Sequence, residues 1–368
     1  MKDVREILKK RPLLFDGGMG TYYNAAPGQE CEQANRTDPE GILAVHRAYL
    51  DAGADAIKTN TFGLTRMAAA HDPAWKALAE AGWELARRAA AQTDTAVFAD
   101  IGPAPDTEAL PAAQLYTALA DCFLALGAKN FLFETLSADT GVAEAAKRIK
   151  QAAPDAFVLV SFAVLPDGYT REGQHCAELV RRMEACGAVD AVGLNCVSAP
   201  GAMGELVQKL GGVKLPLSVM PNAGYPVVTR TRVQYRGRPE YFAQELAKLA
   251  ARGVRILGGC CGTTPRHIAA LRRALDALPQ TLPAAPAVQL SAAPKPKAET
   301  DDAFLRKLNA GKKVVAVELD SPKDADLTGY LESARRLQAA GTDLLTIADC
   351  PIARARMDSS LVACRVHR

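Results

Sequence analysis

No apolar run in these 368 residues approaches the roughly 18 that a membrane-crossing helix requires, so no span is expected. The opening stretch, Met1 to Pro12, mixes both charge signs and lacks the roughly 7–15-residue apolar segment of a secretory leader. An excess of one charge is lacking too: 44 Lys and Arg face 41 Asp and Glu, a net +3, too balanced for a chain that grips nucleic acid by neutralising phosphates. The expectation is a cytoplasmic protein with neither a nucleic-acid nor a membrane partner. Also missing is a G-x-G-x-x-G after the first apolar run, which counts against an open, doubly wound dinucleotide-binding sheet. What is present, 49% hydrophobic and 23% charged residues, excludes a disordered or fibrous chain. The nine cysteines are then expected as thiols, metal ligands or small buried hydrophobes rather than as a disulfide framework.

Between Pro12 and Pro279, eight short apolar runs alternate with Ala/Leu/Arg-rich helical stretches. The runs are Leu13 to Asp16, Ala56 to Phe62, Ala96 to Ile101, Asn130 to Leu136, Phe157 to Val164, Ala191 to Cys196, Leu217 to Pro221 and Arg255 to Cys260. The helices between them are expected over Pro39 to Ala52, Arg66 to Gln92, Ala112 to Leu126, Asp139 to Ala152, Cys176 to Cys186, Gly201 to Leu210, Pro239 to Arg252 and Pro265 to Leu278. Strands that are apolar throughout, rather than alternating, imply burial on both faces. Eight such βα units in this length predict a (β/α)8 TIM barrel over residues 1–278. Residues 279–300, punctuated by Pro279, Pro283, Pro286, Pro294 and Pro296, read as a semi-rigid linker. Structure is expected to resume over 301–368 as two βα units, too few to close a sheet, and hence as the incomplete opening of a second domain.

Catalytic groups of such barrels sit where strands end, and three cysteines fall there: Cys196 after the sixth run, Cys260 and Cys261 after the eighth. Three thiolates with one open position suit a catalytic Zn2+. In a regular strand, adjacent side chains diverge, but Gly258, Gly259 and Gly262 permit the irregular backbone that lets both thiols converge. Buried structural cysteines are the competing reading. Zinc carrying three thiolates has net charge −1, so it generates hydroxide poorly but holds an incoming thiol as a nucleophile; the expected chemistry is thiol alkylation, not hydrolysis. No catalytic group beyond the zinc site is required. Asp16 and Glu134, at the ends of the first and fourth runs, suit a clamp on a substrate ammonium, although Asp16 could instead cap a helix. The backbone of Gly17, Gly18 and Gly20 could hold a carboxylate, or form only a tight turn. His46, His71, His175 and His267, together with Trp75 and Trp83, are expected to pack or face solvent rather than bind.

These residues occur in blocks that together resemble the homocysteine S-methyltransferase family: Leu14-Phe15-Asp16-Gly17-Gly18-Met19-Gly20-Thr21, Thr59-Asn60-Thr61-Phe62, Gly193-Leu194-Asn195-Cys196 and Gly258-Gly259-Cys260-Cys261-Gly262-Thr263. That family includes the homocysteine-binding module of methionine synthase and betaine-homocysteine methyltransferase. The resemblance implies a zinc barrel with Cys196, Cys260 and Cys261 as ligands, homocysteine as the acceptor and methionine as product. It also implies that Asp16 and Glu134 bind the homocysteine amino group, with Gly17, Gly18 and Asn60 as further substrate contacts. The methyl donor stays open among S-methylmethionine, S-adenosylmethionine, betaine and a folate- or cobalamin-derived methyl. A second resemblance, carried by Val317-Glu318-Leu319-Asp320-Ser321-Pro322 and by Thr346 to Met357, is to the start of methylenetetrahydrofolate reductase modules in bifunctional bacterial proteins. It implies no reductase activity for so short a segment, and it leaves an alternative: a homocysteine-binding fragment of a larger bifunctional enzyme, inactive without the missing part. A zinc hydrolase is disfavoured by the all-cysteine ligand set, and a structural zinc scaffold by the lack of a fourth ligand at metal spacing.

Overall fold

The computed structural model describes residues 3–23, 29–107, 110–210, 212–228, 233–235, 237–278, 303–322, 326–348 and 357–367. They divide into two units, Met1–Ala293 and Pro294–Arg368. The expected linker, 279–300, lies outside the described residues.

The apolar runs of the first unit form strands β1 (Leu13–Leu14), β2 (Ala56–Lys58), β3 (Ala96–Ile101), β4 (Asn130–Leu136), β5 (Phe157–Phe162), β6 (Ala191–Asn195) and β7 (Leu217–Met220). A short antiparallel ribbon, β8 (Pro226–Val228) and β9 (Val233–Tyr235), precedes the eighth barrel strand, β10 (Ile256–Leu257). The eight barrel strands are parallel and ordered β1-β10-β7-β6-β5-β4-β3-β2. The ring is completed by a parallel bridge between Phe15 and Ala56, with Asp16 N donating to Ala56 O at 3.0 Å and Asp55 N to Leu14 O at 2.7 Å. This is the expected TIM barrel.

Alternation along each strand explains why the runs are apolar throughout. Phe98, Leu132, Phe157 and Leu159 fill the barrel interior, whereas Val97, Phe131, Phe133, Val158 and Val160 face the helix layer. Both faces are buried, so no polar stripe survives to mark one as outside. The interior also receives Val4, Ile7 and Leu8 from a helix the sequence pattern did not reveal, Val4–Lys10. Its Asp3 caps Arg5 N, and Arg5 reaches the carbonyls of Asp155 and Ala156 just before β5, so the helix covers the N-terminal end of the barrel.

Most helices run close to expectation, and Gly53, Gly127, Gly187 and Gly253 follow helix ends with φ of 71° to 100°, a conformation open to glycine at little cost. The stretch expected as one helix over Arg66 to Gln92 is instead two, Leu64–Ala69 and Ala74–Ala90. Pro73 has no N–H to continue the ladder and disfavours helical backbone at Asp72, while His71 turns left-handed at φ 56°. Several strands also end earlier than their apolar runs: β2 stops at Lys58 and β10 at Leu257, leaving the conspicuous mouth residues in loops.

In the second unit, helix Ala303–Asn309, β11 (Ala316–Glu318), helix Thr328–Ala339 and β12 (Leu344–Thr346) follow the expected order, and helix Ser359–His367 comes after. β11 and β12 pair in parallel, Val317 opposite Leu345, and Asp343 ties them by accepting from Val315 N and from Lys307 Nζ. Glu318 is exposed, and residues 349–356 of the second resemblance lie outside the described residues. No described helix is long and apolar enough to cross a membrane.

Candidate metal and substrate site

Cys196 directly follows β6, and two independent features turn its thiol toward the mouth. Cys196 and Val197 both adopt left-handed backbone, φ 57° and 53°. Such non-glycine residues cost on the order of 1–3 kcal/mol each and persist only where the surroundings hold them. Cys196 N donates to Met220 O at 3.0 Å, which fixes the turn against β7. Cys260 and Cys261 lie beyond the end of β10, so the divergence of adjacent strand side chains does not apply to them. Cys260 N is pinned to Pro221 O at 2.8 Å, and Cys260 O accepts from Thr263 Oγ1 at 2.6 Å.

The sulfur atoms of Cys196, Cys260 and Cys261 all lie within 4.8 Å of one another, with Cys196 and Cys261 at 3.8 Å. Zn–S bonds of about 2.3 Å at tetrahedral angles set sulfurs roughly 3.8 Å apart, so the spacing fits a single metal ion. The thiol chemistry points the same way. The pKa of Cys196 is pushed up to about 12, foremost by its hydrogen bond with Cys260, and that of Cys261 to about 11, foremost by its hydrogen bond with Cys196. Three thiols packed this closely resist ionising on their own, and a divalent cation there would supply the compensating charge. Among the described residues, no fourth His, Cys, Asp or Glu joins the group.

Beside the thiols lies a buried cluster of three carboxylates and one ammonium. Asp16 Oδ2 accepts from Lys58 N at 2.9 Å, so its carboxylate is tied to the next strand rather than to a helix start. Lys58 Nζ stands 3.9 Å from Asp16 Oδ1 and 3.5 Å from Glu134 Oε2. Burial opposes charge on Lys58, but Glu134 and Asp16 outweigh it and hold the ammonium well above its ordinary pKa. Asp16 is raised to about 7, chiefly by burial against the pull of Lys58. Asp100, at the end of β3, is raised well above the carboxylate range by burial and by Glu134. Asp16 Oδ1 and Asp100 Oδ1 are buried acceptors without a hydrogen-bond partner among the described residues.

Asn195 joins the two clusters. Its Nδ2 donates to Glu134 Oε2 at 3.3 Å and Thr135 Oγ1 at 2.8 Å and lies 3.9 Å from Cys260 Sγ, while its Oδ1 accepts from Thr135 N. Thr135 is itself left-handed, φ 63°. Gly17 and Gly18 are required by close packing: a Cβ on Gly17 would lie 2.6 Å from Thr263 Oγ1, and one on Gly18 2.7 Å from Cys260 O. The N–H of Gly18 donates to Thr263 Oγ1 at 3.0 Å, which joins the first loop to the cysteine loop. Asn60 lines the cavity, and its Nδ2 donates to Cys31 O and Asn35 Oδ1, which anchors the loop around Cys31.

One cavity of about 410 Å3 gathers Gly18, Lys58, Asn60, Asp100, Glu134 and the three cysteines, with Cys31 and Arg66 also on its wall. A hollow of similar volume in the second unit, against Leu331, Arg335, Asp343, Leu345 and Arg365, carries no cluster of three metal-ligating residues among the described residues. The histidines lie elsewhere: His175 caps helix Cys176–Ala185, His267 caps Pro265–Asp276 and stacks edge-on against Phe242, and His46 is fully buried. Trp83 is buried and donates to Leu126 O. Lys58 and Asn195 were not singled out from sequence. The signal for Lys58 was a charged residue inside an apolar run, Ala56-Ile57-Lys58.

The homocysteine S-methyltransferase family model matches residues 13–275. Two methionine synthases are similar to this chain: that of Mycobacterium leprae at 34% identity over 296 residues, 72% of this chain and 24% of its own, and that of Mycobacterium tuberculosis at 33%, covering 72% and 25%. The chain thus spans about a quarter of the length of these curated relatives. Among solved structures, the homocysteine methyltransferase MmuM from Escherichia coli in its metallated form aligns with a TM-score of 0.61 at 26% identity, over 74% of this chain and 99% of that one.

Proposed function

Because the chain belongs to the homocysteine S-methyltransferase family, we propose that it transfers a methyl group from a donor to the thiol sulfur of homocysteine, giving methionine, with zinc held by Cys196, Cys260 and Cys261. The observation that carries this reading is the convergence of three thiols beside a buried acidic cluster in one cavity. When bound, zinc lowers the pKa of the incoming thiol, and its three thiolates leave that sulfur electron-rich enough to attack an alkyl carbon.

The chain's own residues bind and orient. Asp16 and Glu134 grip the substrate ammonium, Asp16 through the Oδ1 that no described residue satisfies. Asn195 holds Glu134 at a fixed distance from Cys260, so the amino-group and sulfur subsites keep one spacing. Gly17 and Gly18 allow the first loop to close on Thr263 and Cys260. Asn60 shapes the outer wall. No general base is assigned, since positioning of thiol and methyl carbon in line supplies the remaining acceleration. Thiols that must stay reduced suit a cytoplasmic setting.

The donor separates two readings. Coverage of MmuM over 99% of its length favours a barrel that acts without a further domain, for which a sulfonium or ammonium donor, carrying its own leaving group, would suffice. Coverage of only 24% of a methionine synthase favours a homocysteine module supplied by another domain with a folate- or cobalamin-derived methyl. For 301–368 we propose the opening of a reductase-like domain, joined through 279–300. The parallel pairing of β11 and β12 is compatible with it, and no step of methyl transfer is assigned there.

The experiment is a zinc assay and a homocysteine-methylation assay with S-methylmethionine, S-adenosylmethionine, betaine and methyltetrahydrofolate with methylcobalamin. One zinc per chain and methionine formed from at least one donor are expected. Zinc retained with no turnover from any donor would favour the inactive fragment or a scaffold.

A further inference from the structure

Homocysteine is a zwitterion, and the cavity treats its two charges unequally. Acceptors for the ammonium are close by: Asp100 and Glu134 line the cavity and Asp16 is buried beside Lys58, and Asp16 Oδ1 and Asp100 Oδ1 have no hydrogen-bond partner among the described residues. An α-carboxylate placed among these buried acidic groups has no favourable partner unless a cation stands among them. Among the described residues, two cations line the cavity. Arg66 has a side chain 62% exposed and pairs with Glu30 at 3.6 Å, whereas the Lys58 side chain is only 5% exposed. The Lys58 ammonium approaches Glu134 and Asp16 at 3.5 and 3.9 Å. Charge-assisted hydrogen bonds run at about 2.7–2.9 Å, so its N–H groups keep capacity for a further acceptor. The backbone alternative is partly spent, because the N–H of Gly18 already donates to Thr263 Oγ1.

Resting on the homocysteine reading above, we propose that Lys58 is a specificity-determining residue that receives the α-carboxylate of the substrate and so restricts the site to thiols bearing a complete amino-acid head. The alternation of charge, Lys58 positive between Asp16 and Glu134 with one more positive and one more negative group brought by the ligand, leaves neither ligand charge facing only its own sign.

The test is calorimetric binding of homocysteine, 3-mercaptopropylamine (no carboxylate) and 4-mercaptobutanoate (no amine) to the zinc-loaded full chain and to Lys58→Met, Lys58→Gln and Lys58→Arg. The wild type is expected to prefer homocysteine over 3-mercaptopropylamine by at least about tenfold, as sites with buried polar groups reject analogues that leave them unpaired. Lys58→Met and Lys58→Gln should erase that preference while 3-mercaptopropylamine binds no worse, and Lys58→Arg should largely restore it. Zinc content and a thermal melt of each variant report folding. Homocysteine preference unchanged in both uncharged variants overturns the role of Lys58 alone, whereas a wild type that binds none of the three thiols overturns the homocysteine reading and this inference together.

Discussion

At the N-terminal end of the barrel, Asp190 receives Arg5 at 2.7 Å and Lys150 at 2.6 Å, and the same carboxylate accepts from Val158 N at 2.8 Å. At the C-terminal mouth, Lys58 stands 3.5 and 3.9 Å from its carboxylates, and two carboxylate oxygens have no partner among the described residues. The backbone differs in the same sense. Thr135, Cys196 and Val197 are left-handed at the mouth, whereas a short, well-capped helix covers the other end. A cluster whose charges are saturated by short contacts serves stability, and one with spare donors, spare acceptors and strained backbone holds capacity for a ligand.

The contrast is sharpened most by Cys260→Ala. The thiols sit on loops beyond β6 and β10, so this variant is expected to lose zinc affinity by more than about 100-fold while the barrel stays folded. Metal analysis and circular dichroism check both halves, and global unfolding would make the metal a structural element. Next is Asp190→Ala at the opposite end. It removes the carboxylate shared by Arg5, Lys150 and Val158 N, and although both cations keep carbonyl partners it should cost on the order of 2 kcal/mol in urea unfolding, moderated by their partial exposure. Homocysteine affinity should stay within about twofold, since no contact with the mouth is altered.

The sequence conveyed the barrel because each run is apolar on both faces, and it conveyed the cysteine trio because three thiols at strand ends stand out among small residues. The same uniformity hid Lys58: where inward and outward positions are equally apolar, a single charge does not announce which face it occupies. Helix Val4–Lys10 was hidden for a different reason. It is a mixed-charge segment of 7 residues that gains order from burying Val4, Ile7 and Leu8 against the barrel interior, not from its own propensity. Asn195 was quoted in a motif, but its link between Glu134 and Cys260 depends on β4, β6 and the loop after β10 meeting, which spacing alone does not convey.

Smaller effects follow at the mouth. Glu134→Gln should weaken homocysteine about 10- to 50-fold and also lower stability, because the buried Lys58 ammonium loses the nearer of the two carboxylates that hold it charged; calorimetry and a urea melt read the two quantities. The smallest effect is in pH. Asp16, held at about 7 mainly by burial, is neutral below that value and ionised above it. Its grip on the substrate ammonium should therefore weaken as pH falls from 8 to 6, by up to about tenfold, one pKa unit of interaction. Comparing the wild type with Asp16→Asn cancels the ionisation of the substrate thiol, and parallel profiles would contradict the assignment. The sign for stability is opposite: a carboxylate raised above its unfolded value favours folding at low pH, and that contribution fades as pH rises through about 7.

The central claim, three cysteine sulfurs around a metal with room for the substrate thiol, is tested most directly by X-ray absorption at the zinc edge of the zinc-loaded chain without and with homocysteine. Three sulfurs at about 2.3 Å with one lighter ligand, becoming four sulfurs on addition of homocysteine, is the expected result. A shell already closed by four protein ligands, or one that homocysteine leaves unchanged, would contradict it.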